Sequence, residues 1–128
     1  MDNKHTTEKK AWREVKYDEK FQSAFRGLRV FWNTTSNLYI HLLIAFLVID
    51  LGFYFSISGI EWVALVFAIG LVIISEAFNT AIEIDIDLTS PKYHQYARDT
   101  KDVAAAAVLL SAIVAIIVGM IIFLPKIF

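Results

Sequence analysis

The sequence predicts an all-α membrane protein: an N-terminal amphipathic surface helix followed by three transmembrane helices. Three observations predict it. Hydrophobic residues make up 57% of the 128, above the roughly 45–50% of an average soluble domain. The excess is gathered into three blocks with short polar segments between them. Ahead of the first block, apolar residues recur every three or four positions, which is the period of a helix with one apolar face.

Residues 1–15 are polar and of mixed charge and read as a mobile tail. Over 18–33, Phe21, Ala24, Phe25, Leu28 and Trp32 share a stripe, with Lys20, Arg26 and Arg29 mostly on other faces. Such a helix can lie in the headgroup region with its aromatics buried. The first span is expected over 38–55, followed by a tight turn at Ser56–Gly59. The second is expected over 60–86; its apolar part ends near Ile74, and its helical pattern continues through Glu76, Asn79 and Glu83. Pro91 ends it, since proline cannot continue a helix and disfavours helix at the residue before it. The third is expected over 103–124, stopping at Pro125. Within it Ala107, Ser111, Ala115 and Gly119 form a ladder of small residues that lets helices approach closely in lipid. Three spans make a thin bundle, so an oligomer is expected.

The chain reads as one domain. It has no cysteine, which excludes a disulfide framework and a thiolate zinc site. No signal peptide is visible, because the first apolar run begins only near Leu38. Net charge is −1, but the cations are unevenly placed. Lys4, Lys9, Lys10, Arg13, Lys16, Lys20, Arg26 and Arg29 precede the first span, and Lys92, Arg98 and Lys101 lie between the second and third. The positive-inside rule puts both segments in the cytoplasm. Trp32 and Trp62 fall near membrane boundaries and read as interfacial anchors, with Trp12 in the tail. Asp50, within the first span, reads as a bundle-facing residue bonded to a neighbouring helix, and His41 and His94 as interfacial hydrogen-bonding residues.

The chemistry is concentrated in Glu76-Ala-Phe-Asn-Thr-Ala-Ile-Glu83. Glu76, Asn79 and Glu83 are spaced i, i+3, i+7 and share one face. A carboxylate at the centre of a membrane helix costs roughly 2.5–3.5 kcal/mol on insertion scales, so such a stripe is expected to serve metal, proton or substrate work. Glu76 and Glu83 are hard oxygen ligands suited to magnesium. Lys101 is a point charge that can hold phosphate oxygens, and Asp87 and Asp102 can bind a second ion or orient it. Carboxylates and a lysine at one membrane face point to phosphoryl transfer from a magnesium nucleotide. No P-loop and no protein-kinase motif set is present.

On these residues the chain resembles the small integral-membrane diacylglycerol kinase family of prokaryotes, in particular its undecaprenol kinase branch. The matching residues are Glu76-x-x-Asn79-Thr-Ala-Ile-Glu83, then Asp87, Tyr93-His94 and Lys101-Asp102, with Phe21-x-x-Ala24-x-x-Gly27 and Ile40-His41-Leu42 upstream. The resemblance implies a homotrimer in the bacterial cytoplasmic (inner) membrane, with active sites between subunits at the cytoplasmic face. It implies Glu76 as the catalytic base, Glu83 as a magnesium ligand, Asn79 and Asp87 lining the nucleotide site, and Lys101 with Asp102 holding the phosphates of ATP. One departure stands out. Where the family has a glutamate before the first span, in an E-R-N-like run, this chain has Thr34-Thr35-Ser36-Asn37, with Thr35 at the glutamate position. A threonine hydroxyl is a much weaker magnesium ligand than a carboxylate, so either another acid, Asp87 or Asp102, fills in, or nucleotide handling is altered or activity weak.

The expected function is transfer of the γ-phosphoryl of ATP, with Mg2+, to a membrane lipid alcohol, undecaprenol first and diacylglycerol second. A rival of another class is a weakly active or non-catalytic paralogue that binds lipid or nucleotide, motivated by Thr35. A small multidrug-type transporter would explain intramembrane carboxylates, but not Lys101-Asp102 or the gathering of the cluster at one face.

Overall fold

A computed structural model describes residues 17–128. Among the described residues there are four helices and no strand: α1 (Tyr17–Thr34), α2 (Leu38–Tyr54), α3 (Gly59–Thr89) and α4 (Gln95–Ile127). The expected tail lies outside the described residues. The described residues divide into two compact units, one ending at Thr34 and the other comprising Thr35–Phe128.

In the first unit, α1 carries the expected stripe. Phe21, Phe25, Leu28 and Trp32 stand four, three and four residues apart and all are exposed. An apolar stripe beside arginines is what a helix lying in a bilayer interface requires.

The second unit is a three-helix bundle in which α3 packs mainly on α4 and more lightly on α2. Two of its helices, α3 and α4, are each long and apolar enough to cross a membrane unaided. Their 31 and 33 residues make them about 46 and 50 Å long, against a hydrocarbon core of about 30 Å. Each therefore projects beyond the bilayer. The 17 residues of α2 reach only about 25 Å, a little short of that thickness.

At the end where α2 meets α3 the chain reverses within a few residues. Ser56 takes a positive φ of 49°, a conformation uncommon for a residue with a Cβ, and the Ile57 amide donates back to the Gly52 carbonyl at 3.1 Å. Ser58 then caps α3 reciprocally: its hydroxyl accepts from the Glu61 amide at 3.3 Å, and Glu61 Oε2 accepts from the Ser58 amide at 2.8 Å. This capping box satisfies two amides that a helix start would otherwise leave open. Lys126 Nζ closes the same end by donating to Glu61 Oε1 at 3.0 Å. Beneath it Ile57, Leu65, Ile122 and Phe123 form the buried core.

Several expectations need correction. The last helix begins at Gln95 rather than Val103, because His94 caps it, with Nδ1 accepting from the Tyr96 amide at 3.2 Å. The polar first turns read as a loop because they lie outside the apolar block. It also continues through Pro125 to Ile127. A proline so near the C-terminus removes only one helical hydrogen bond, and the extra turn carries Lys126 to Glu61. Lys101 and Asp102 are therefore on a helix, and the true connection is only the short stretch 90–94. Within this chain Asp50 does not bond to a neighbouring helix: it is exposed, without a hydrogen-bond or ion-pair partner among the described residues. It stands four residues before the end of α2, about 6 Å along the axis, and so near the far boundary rather than at mid-span. Trp62 is half-buried, with its ring 4.8 Å from that of Phe53.

The small-residue ladder is only partly a helix contact. Ser111 is buried and bonded to Ser75 at 2.6 Å. Its hydroxyl also donates to the Ala107 carbonyl at 2.8 Å, so its one proton is used and Ser75 is the donor between the two serines. Farther along, Ala115 and Gly119 border an apolar groove, and nothing lies within 4 Å of a Cβ placed on Gly119.

Gly52 is the glycine that packing demands. A Cβ there would meet Trp62 Cη2 at 2.7 Å, whereas one on Gly70 meets nothing within 4 Å. Gly52→Ala is expected to lower the thermal midpoint in detergent, overpacking costing about 1–3 kcal/mol. Gly70→Ala should hold or raise it through its gain of roughly 0.5–1 kcal/mol in helix propensity. Equal shifts for the two variants would show that the Trp62 contact does not constrain α2 against α3.

Candidate active site

The polar residues of α3 form a stripe longer than its sequence motif. Glu76, Thr80, Glu83 and Asp87 follow at i, i+4, i+7 and i+11, the spacing of one helical face, with Asn79 beside them. They run from the apolar bundle out to the projecting end of the helix. Glu76 is 5% and Thr80 6% exposed, whereas Glu83 and Asp87 are exposed.

Each level of the stripe has its own partner. At the inner level, His41 Nε2 lies 2.8 Å from Glu76 Oε1. One turn farther out, the hydroxyls of Thr35 and Thr80 share a hydrogen bond at 2.7 Å. Next, Asn79 Nδ2 donates to Glu83 Oε1 at 3.1 Å. At the outer end, Lys101 Nζ of α4 donates to Asp87 Oδ1. Moving from Thr35 to His41 matches moving from Thr80 to Glu76, so these two bonds fix α2 antiparallel to α3.

Two spaces adjoin the stripe. An apolar groove of about 270 Å³ lies between α2, α3 and α4, with His41 among its lining residues and Leu65, Val72, Ala115 and Gly119 along its walls. A second depression, about 290 Å³, lies at the outer end and is lined by Asp87, Lys92, Tyr93, Arg98, Lys101 and Asp102. Three cations and two carboxylates meet there. Arg98 is held in place through Asp99 at 2.9 Å and the Tyr93 hydroxyl at 3.2 Å.

The residues singled out in the sequence thus fall into three groups. Asp87, Lys101 and Asp102 border one depression; Asn79 and Glu83 are bonded to each other; Glu76 stands apart, about 16 Å along the axis from Asp87. The sequence reading missed His41, Thr80, Lys92 and Arg98 as parts of this surface. His41 carried a signal: a histidine in the first turn of one span, at the depth of a carboxylate in the next antiparallel span. Thr80 lies inside the motif between Glu76 and Glu83, and as an uncharged residue carries no signal of its own.

Among the described residues no group of three His, Asp or Glu side chains could hold a metal ion. The fit for magnesium therefore rests on Asn79 and Glu83. Asn79 Oδ1 is buried without a hydrogen-bond partner while Nδ2 of the same amide faces Glu83 Oε1, so turning the amide over would set its oxygen beside the carboxylate. Magnesium keeps several waters and takes phosphate oxygens with one or two protein carboxylates, so this pair is a suitable partial donor set. The Thr35 hydroxyl is turned to Thr80 rather than to Asn79 or Glu83.

A helical scaffold long and apolar enough for a membrane carries a polar stripe toward a cluster of cations and carboxylates, and likeness to known proteins gives its class, an integral-membrane lipid kinase. The chain belongs to the prokaryotic diacylglycerol kinase family, whose model matches residues 22–123. It is 38% identical over 111 residues to the undecaprenol kinase of Bacillus subtilis (strain 168), covering 87% of this chain and 90% of that protein. It is 39% identical over 106 residues to a diacylglycerol kinase of Synechocystis, covering 82% of this chain and 61% of that protein. To the diacylglycerol kinase of Escherichia coli (strain K12) it is 31% identical over 94 residues, covering 73% and 77%.

The Asp87–Lys101 pair separates a functional from a structural role. Its side chains are 69% and 38% exposed, and exposed ion pairs contribute about 0–1 kcal/mol. Asp87→Ala and Lys101→Ala are expected to leave the unfolding midpoint in detergent within a few degrees of the parent while raising the KM for ATP. Collapse of the fold in either variant would make the pair a structural clasp.

Proposed function

We propose that this lipid kinase transfers the γ-phosphoryl of ATP to the hydroxyl of undecaprenol at the cytoplasmic face of the bacterial inner membrane, as a homotrimer. The observation that carries the reading is the placement of Glu76: a buried carboxylate at one end of the bundle, bonded to a histidine that lines an apolar groove. A long apolar substrate can lie along the helices and bring only its hydroxyl to the carboxylate.

In this reading Glu76 takes the proton of the lipid hydroxyl as its oxygen bonds to the γ-phosphorus, and the bond from that phosphorus to the bridging oxygen of ADP breaks. General-base assistance of this kind contributes about 10²–10⁴-fold. Lys101 and Arg98, oriented by Asp87 and Asp99, hold phosphate oxygens of the nucleotide, with Asp102 ordering the depression. Asn79 and Glu83 would hold magnesium, whose charge offsets that building on the phosphates. The axial gap between Glu76 and Lys101 favours assembly of the complete site with residues of another copy. The eight cations ahead of the first span and the three between the second and third favour the cytoplasmic orientation.

Undecaprenol is favoured because the relative so named matches nearly the whole of both chains. Diacylglycerol is the second reading, supported by the relatives named for that activity. The purified protein, given radiolabelled ATP and magnesium with each lipid in parallel, is expected to label undecaprenol at least tenfold faster than diacylglycerol. The reverse order would assign the second substrate. No labelling of either would leave a binding paralogue, the outcome that Thr35 foreshadows.

A further inference from the structure

The contact between His41 and Glu76 has a consequence for the chemistry. Glu76 is 5% exposed, and a charged carboxylate so enclosed is costly unless it is hydrogen-bonded. Among the described residues its one side-chain partner is His41, whose Nε2 meets Oε1 at 2.8 Å. Oε2 makes no such bond, yet is not among the enclosed polar atoms. The two oxygens are therefore inequivalent: one is tied to α2 and the other remains reachable. His41 is itself 19% exposed at the side chain and lines the apolar groove.

We propose that His41 is a positioning residue for phosphoryl transfer: its Nε2–H holds Oε1 of Glu76 so that Oε2 is the oxygen presented to the lipid hydroxyl. This rests on the reading of Glu76 as the base. A carboxylate on a side chain with three rotatable bonds cannot hold an attack geometry unaided, and a misplacement of about 1 Å costs on the order of 10²-fold in rate. The imidazole removes that freedom from outside α3. With Nε2 donating, Nδ1 of the neutral ring is left as an acceptor. No proton has to pass through the ring in the transfer step, because the proton of the hydroxyl goes to Oε2. The arrangement is local to the second unit and needs no nucleotide to form.

The test compares His41→Gln, whose terminal amide N–H can reach Oε1, with His41→Asn, whose amide falls short, and His41→Leu, which keeps bulk without a donor. For each, kcat and the KM values for magnesium-ATP and for the lipid are measured beside the melting profile in detergent, with Glu76→Gln as reference. The expected result is a fall in kcat of about 10- to 100-fold for Asn and Leu, KM values within about twofold, and recovery to within a few-fold for Gln. In a Glu76→Gln background, His41→Leu should cost little more, since residues acting as one unit are not additive. Full turnover in His41→Asn while Glu76→Gln is inactive would overturn the role of His41 and leave Glu76 as the base. Undiminished turnover in Glu76→Gln would instead overturn the reading of Glu76, and with it this one. Equal losses in Gln, Asn and Leu that follow melting temperature would make the contact a clasp between α2 and α3 and also overturn the proposal, as would a change confined to KM.

Discussion

A carboxylate within an apolar helix bundle must be partnered, and the partnering of Glu76 by His41 organises the polar end of the molecule. It sets the level of α2 against α3. The Thr35–Thr80 bond repeats that register one turn farther out, and Ser75–Ser111 ties α3 to α4 at the inner level. Three polar contacts thus hold one end of helices whose outer surfaces are otherwise apolar. In lipid such bonds matter because apolar side chains gain little by leaving one apolar phase for another. The opposite end is held differently, by the Ser58–Glu61 capping box, the Lys126 ion pair and a small core around Leu65 and Phe123.

Helix length does the rest of the positioning. Since α3 and α4 each exceed the hydrocarbon thickness by about 16–20 Å, they are long enough to carry Glu83, Asp87 and Lys101 beyond it without a loop. A site on rigid helix ends holds its charges more closely than one on a flexible connection. The short stretch between the helices serves mainly to add Lys92 and Tyr93 to the rim of the depression. Glu76 stays inside, where it meets the groove. The order along one helix face, from enclosed carboxylate to exposed ion pair, suits the proposed function: lipid hydroxyl within, nucleotide without.

The helical architecture was legible because apolar blocks and a 3.6-residue stripe are strong signals, and the turn at Ser56–Gly59 and the break at Pro91 punctuate them. The start of α4 was not legible from hydropathy, because Gln95–Asp102 are polar and yet helical, a state set by the His94 cap. Asp50 was misread because hydropathy gives no depth; the short α2 places it near a boundary. Glu76, Asn79, Glu83, Asp87, Lys101 and Asp102 could be named from their motif. Their grouping could not, because it depends on which α2 residues lie opposite α3. His41 and Thr35 enter through that register alone, and neither is marked by a spacing within its own segment.

The division of the site requires that the stripe cross from apolar surroundings to water between Thr80 and Glu83. The chain has no cysteine, so single cysteines placed in turn at Glu76, Thr80, Glu83 and Asp87 report accessibility without interference. A membrane-impermeant maleimide applied to inverted membrane vesicles is expected to label the positions of Glu83 and Asp87 rapidly and those of Glu76 and Thr80 slowly or not at all. Uniform labelling at all four positions, or labelling of Asp87→Cys only from the opposite face, would contradict it.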